Sequence, residues 1–275
     1  MARRARIELS EAGGAPPAGW RRIEAELPLF GETLHVAADV EDRRGRLADV
    51  VPLARALCDR VVAAAIRRSE ALGKPVSCRK GCGACCGKYI VSMTVPEGFR
   101  LIEDISRLPA SVRDEVAGGF AEACTRIARS GIHEALARPA GEADLSPDEQ
   151  LRVMDEWWAR EGFPCPLLVE QACSQYAIRP LKCREFLVTS DPALCGTPSA
   201  ERVPLPLSVS EALALWAGRI ERTQPTQEMF FNLLAWYPPK QARAERTWRA
   251  VEMVRGFLDV ARELAGAAAP PAAGP

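Results

Sequence analysis

Four cysteines fall within nine residues, Cys78-Arg-Lys-Gly-Cys82-Gly-Ala-Cys85-Cys86, and four more follow at Cys165, Cys173, Cys183 and Cys195 in a stretch rich in Pro and Arg. Eight of the ten cysteines in 275 residues therefore lie in two short blocks. In such blocks soft thiolates can converge on a zinc ion or an iron-sulfur cluster. The alternative is a disulfide framework, and the compartment decides between them. Met1-Ala-Arg-Arg-Ala-Arg opens like a signal peptide, but Glu8, Glu11 and the Gly13 to Gly19 stretch stand where the apolar segment should be. A cytoplasmic, reducing location is expected, which favours metal or redox chemistry. Adjacent Cys85 and Cys86 also suit disulfides poorly, because a bond between neighbours is strained and two separate partners would need nearly the same place.

Spacings of two or three residues between ligands let a turning backbone aim successive sulfurs at one point. Gly81, Gly83 and Gly87 support that turn by permitting positive φ and close backbone approach. Cys85 and Cys86 leave the backbone in different directions and do not easily serve one metal. One of them binds a second metal, bridges two metals, stays a reactive thiol, or is simply buried. Four thiolates around Zn²⁺ or an oxidised [4Fe-4S] cluster carry a formal charge of about minus two. Arg79, Lys80, Lys88, Arg179, Lys182 and Arg184 could offset it, or could form a solvated face with Glu170 and Glu185.

The block Cys78 to Cys86, with the later Cys165-Pro-Leu-Leu168 and Cys173-Ser-Gln-Tyr176-Ala-Ile-Arg179-Pro180-Leu-Lys-Cys183-Arg184, resembles the YkgJ-type cysteine-cluster proteins, the CxxCxxCC family of zinc- or iron-chelating domains. The first gap here holds three residues instead of two, and Cys195 matches by spacing alone. The resemblance implies metal binding at Cys78, Cys82, Cys85, Cys86, Cys165, Cys173, Cys183 and Cys195, with an iron-sulfur centre ahead of zinc and a redox or sensing role. A structural zinc-binding interaction module is the alternative. A related cysteine pattern occurs in flagellin lysine-N-methylase, but this chain is short for that group-transfer enzyme and shows no methyl-donor loop.

The rest of the chain reads as a mainly α scaffold around an irregular, metal-stapled cysteine core, with a small N-terminal β-hairpin. Ile23, Ala25 and Leu27, then Phe30-Gly31, then Leu34, Val36 and Ala38 alternate around a glycine turn. Leu47 to Leu72 carries a helical apolar stripe ended by Gly73 and Pro75. Thr94 with Glu97, Ser146 with Glu149 and Ser208 with Glu211 are capping pairs, placing helices near 95–107, 147–161 and 209–222. Further helices are expected from 112 to 130, from Pro225 to Trp236, and from Pro238-Pro239 to Leu264. Residues 1–19 and 265–275 are expected as disordered tails flanking one domain, 20–264. Both cysteine blocks fall between helices, so sulfurs some eighty positions apart should meet.

At 48% apolar content the chain can build a real core without disulfides. Thirty-six basic and 36 acidic residues balance, which argues against general nucleic-acid binding, and no apolar run is long enough to span a membrane. His35 and His133 are given structural roles, and Cys58 and Cys124 are read as small buried hydrophobes. Met229 to Tyr237 is apolar nearly all round and is read as a core helix, with a docking surface as the alternative.

Overall fold

The computed structural model describes residues 5–10, 15–89, 91–132, 165–224, 227–229 and 246–268, with scattered positions between 146 and 161. Strands β2 (Trp20–Leu29) and β3 (Glu32–Glu41) form the expected hairpin. Its two-residue turn is Phe30-Gly31, at φ +54° and +86°, the left-handed pair whose twist suits a tight hairpin. Ile23, Ala25, Leu27, Leu29, Val36, Ala38 and Val40 fill the buried face, as alternation requires. Strand β1 (Ile7–Ser10) adds antiparallel to β3 with Ile7 opposite Val40, giving the order β1-β3-β2. The tail expected over 1–19 therefore contains a strand. Ile7-Glu8-Leu9-Ser10 alternates apolar and polar, but a run of four is too short to mark a strand alone, and the edge of β3 supplies the order.

After β4 (Arg44–Gly45) and a 3₁₀ turn, Leu47–Val50, helix α1 (Val51–Ala71) lays Leu53, Leu57, Cys58 and Val61 against the sheet. Two helices complete this core, α5 (Val209–Glu221) with Trp216 and α6 (Ala250–Ala267) with Met253 and Phe257. Helix α5 starts where expected, with Ser208 Oγ accepting from Glu211 N at 3.2 Å. Helix α6 begins ten residues after Lys240, because Trp248–Arg249 is a strand, β9, paired with β4. It also runs past 264, and Ala265, assigned to the disordered tail, is buried.

A second core gathers Met93, Leu101, Ile105, Val116, Phe120, Ile127, Trp157 and Leu167 from strand β5 (Ser92–Thr94), helices α2 (Val95–Ser106) and α3 (Ala110–Arg129), and the segments that follow. Thr94 and Glu97 form the expected reciprocal cap of α2, with Thr94 N donating to Glu97 Oε2 at 3.0 Å and Glu97 N to Thr94 Oγ1 at 3.3 Å. Helix α3 starts at Ala110 behind Pro109, two residues ahead of the expected 112. The two cores meet where Arg55 of α1 donates to Asp104 of α2 at 2.7 Å and Arg46 pairs with Glu103 at 2.6 Å.

The helix expected from Pro225 is replaced at its start by strand β8 (Gln227–Met229), antiparallel to β5. The remainder to Tyr237, and His133, lie outside the described residues. For 147–161 only scattered residues are described, but the Ser146–Glu149 cap forms, with Glu149 N donating to Ser146 Oγ at 3.3 Å. The chain is mainly α with small antiparallel sheets. Among the described residues, no helix is long and apolar enough to cross a membrane.

Candidate metal centre

Three consecutive turns shape the first block: Cys82 N donates to Arg79 O at 3.0 Å, Cys86 N to Gly83 O at 2.9 Å, and Lys88 N to Cys85 O at 3.0 Å. Gly81 takes φ +92°, as its permissive backbone allows. Gly83 is required for another reason: a Cβ there would strike the carbonyl oxygen of Gln171 and approach Leu168 Cδ1 to 2.6 Å. Gly87 has open space around it. Cys78 is anchored from the far side, its Sγ accepting from Val188 N at 3.3 Å.

The second block folds directly onto the first. Cys165 N donates to Cys86 O at 2.9 Å, and a small hairpin follows from β6 (Leu168–Val169) to β7 (Ala172–Cys173). Cys183 sits on the one-turn helix α4 (Leu181–Glu185). Two buried carboxylates hold that helix at its ends. Glu97 accepts from Leu181 N at 2.8 Å, while Glu185 accepts from Ser210 N at 2.9 Å and from Ser208 Oγ at 3.1 Å. Cys195 closes a 3₁₀ turn tied to the first block, where Lys88 Nζ donates to Ala193 O at 2.9 Å and Gly196 N to Tyr89 Oη at 3.0 Å.

The result is one cavity of about 730 Å³ whose wall carries Cys78, Cys82, Cys85, Cys86, Cys165, Cys173, Cys183 and Cys195. None is in a disulfide. Among the described residues, no three Cys, His, Asp or Glu side chains converge closely enough to hold an ion. The thiols line the space without closing on a point. Burial pushes Cys165 up to about 12, with Cys173 and Cys85 adding to the effect, and it raises Cys183 and Cys78 as well. Cys85 rises chiefly through its hydrogen bond with Cys86 and then through burial. Taken alone, the cavity favours neutral thiols, because thiolates would be desolvated and would repel one another. A bound cation reverses both penalties, so the donor chemistry of the wall fits zinc or an iron-sulfur centre.

The cations named in the sequence have separate fates. Arg184 is buried, bonded to Asp59 at 2.6 Å and to the carbonyl of Ala177, and so braces α4 against α1. Arg179 stacks 3.5 Å over the ring of Tyr176 and lowers the cost of a charge on Cys173 and Cys183. Sequence reasoning missed Arg202, which stacks 3.6 Å over Phe186 and does the same for Cys78 and Cys85. Tyr89 also went unremarked, with its ring 4.6 Å from that of Phe186. No motif marks either one, since both reach the site through contacts distant in sequence. Cys58 is wholly buried in the first core, Cys124 is partly buried on α3, and His35 lies exposed beside Glu26 at 3.2 Å. Compared with protein-family models, curated proteins and solved structures, the chain finds no match.

Proposed function

We propose that this is a metal-binding cysteine-cluster protein, working in a reducing compartment, whose cavity thiols chelate an iron-sulfur centre or zinc. The observation that carries the reading is the shared cavity wall: eight of ten cysteines, from two blocks some eighty positions apart, face one space. Free cysteines placed for packing alone would be scattered through the cores, as Cys58 is. The ligands are drawn from Cys78, Cys82, Cys85, Cys86, Cys165, Cys173, Cys183 and Cys195. Arg179 and Arg202 offset the negative charge of the thiolates, and Glu97 with Glu185 fixes the helix that presents Cys183.

An iron-sulfur centre would supply one-electron redox chemistry, consistent with a redox or sensing role. The resemblance of Cys78 to Cys86 and Cys165 to Arg184 to the CxxCxxCC pattern supports the same assignment. Anaerobic purification followed by iron, zinc and sulfide analysis and a visible spectrum tests it. Iron with matching sulfide and a broad visible absorption is the expected result. A colourless protein with stoichiometric zinc and no sulfide replaces the cluster with a structural zinc module, and a reduced chain that binds neither metal overturns the proposal.

A further inference from the structure

We infer that the cavity takes an amphipathic organic anion beside its thiols, with a carboxylate or phosphate head at Arg202 and an aliphatic body on a shelf of Val62, Ile66, Leu187, Val203 and Leu205. The inference adds a ligand to the metal-binding reading above and stands on the parts of the wall other than the cysteines.

Metal ligation leaves room for such a ligand. A zinc ion with its sulfurs at about 2.3 Å spans a sphere of roughly 50 Å³, and a four-iron cluster is on the order of four such volumes. The cavity measures about 730 Å³, so most of it stays open once a centre is in place. Spaces of about 300–1,000 Å³, with largely apolar walls and a few polar groups, are the usual size for small organic ligands.

The shelf supplies the apolar wall. Val62 and Ile66 stand one turn apart on α1 and share a face, where they pack with Leu187, Val203 and Leu205 around buried Ala65. Of the eight cavity cysteines only Cys78 joins this cluster. Val62, Ile66 and Leu205 are only partly buried and line the cavity. An aliphatic chain laid over them removes that apolar surface from water.

The same backbone that forms the shelf positions the head. Val203 N donates to Leu187 O at 2.9 Å, and Val188 pairs with Arg202. Leu187 and Val203 therefore adjoin Phe186 and Arg202, whose guanidinium lies 3.6 Å over the Phe186 ring. Stacking holds the plane of the guanidinium and leaves its N–H edge for a carboxylate or phosphate. Among the described residues Arg202 forms no ion pair with a carboxylate.

Charge decides the sign of the ligand. Of the wall's Lys, Arg, Asp and Glu side chains, Lys182 lies near Glu185, and Arg184 is paired with Asp59. Arg79, Arg179 and Arg202 remain, three positive charges against about minus two for one four-thiolate centre. An anion completes the balance, and a cation is opposed.

The test uses the reduced full-length chain as purified anaerobically, with metal content measured on every sample. Octanoate and octyl phosphate are titrated by calorimetry beside butyrate and octylammonium, and methyl NMR follows Val62 and Ile66. Saturable binding of octanoate or octyl phosphate is expected, with the methyls of Val62 and Ile66 shifted, and the tighter probe identifies the head. Butyrate should bind more weakly than octanoate by about fourfold per methylene lost, and octylammonium should not bind. Arg202→Gln should weaken the tighter probe by about tenfold or more, and Ile66→Asp should abolish its binding. Octylammonium that binds as tightly as octanoate, or probe binding that leaves the Val62 and Ile66 methyls unmoved, overturns the inference. A metal-loaded chain that binds neither octanoate nor octyl phosphate also overturns it and leaves the metal reading intact. A chain that holds no metal and still binds octanoate overturns the metal reading alone. The methyl shifts require no substitution, so a variant that fails to fold does not decide the matter.

Discussion

Gly83 allows the two cysteine blocks to touch. With Gln171 O and Leu168 Cδ1 already against its Cα, an alanine there must push the β6–β7 hairpin away from the first block. Overpacking of this kind costs about 1–3 kcal/mol. Gly83→Ala should lower the thermal midpoint and reduce the metal retained after gel filtration, whereas Gly87→Ala, with nothing near it, should do neither. Cys58 carries a second expectation. Burial holds its thiol neutral well above the ordinary value of 9.0, so in this range the folded chain keeps a proton that the unfolded chain releases. Stability then falls as pH rises above about 9, by at most about 1.4 kcal/mol per pH unit for one group. Urea midpoints measured across that range should decline less steeply for Cys58→Ala than for the parent. The eight site cysteines were legible in the sequence because clustered thiols have few inexpensive roles. Arg202 was not, because an arginine signals nothing until Phe186 is seen beneath it.

Among the elements, those closed by local bonds were legible and those completed by distant partners were not. Thr94 with Glu97 and Ser208 with Glu211 mark their helices because the capping partners lie three residues apart. Strands β1, β5, β8 and β9 run two to four residues and are ordered by segments far along the chain, so they are too short for any alternation to stand out. The same distance explains the late start of α6, since Arg249 enters a ladder with Arg44 before the helix can begin. The β2–β3 turn departs from local preference. Phe30 is 40% exposed and held at positive φ, where Asn before Gly is favoured. Phe30→Asn should stabilise the fold by about 0.5–1 kcal/mol, read as a higher thermal midpoint, from relief of the left-handed strain. Asp104, by contrast, receives Arg55 and Arg100 between α1 and α2. Asp104→Ala strands a buried guanidinium and should cost about 3–5 kcal/mol in chemical denaturation.

At the scale of the whole molecule, the two cores stand in different relations to the cysteines. The first is built on β1 to β3, α1, α5 and α6, while the second takes its described members from residues between Val91 and Ile178 and packs directly on Cys165 and Cys173. Ligation across the cavity would close a loop of roughly eighty residues, which the chain-entropy account values at about 4.5 kcal/mol. Stripping the metal with an external chelator should therefore speed amide exchange in α3 and the β6–β7 hairpin and leave α1 and α6 nearly unchanged, as hydrogen-exchange mass spectrometry can measure. The bond from Cys165 N to Cys86 O brings the two ends of the intervening span to one place. That span is also tied to the remainder through Glu97, which receives Leu181 N, and through Asp104, which receives Arg55, so the thiol-lined cavity and the joint between the two cores share their supports and slackening one should loosen the other.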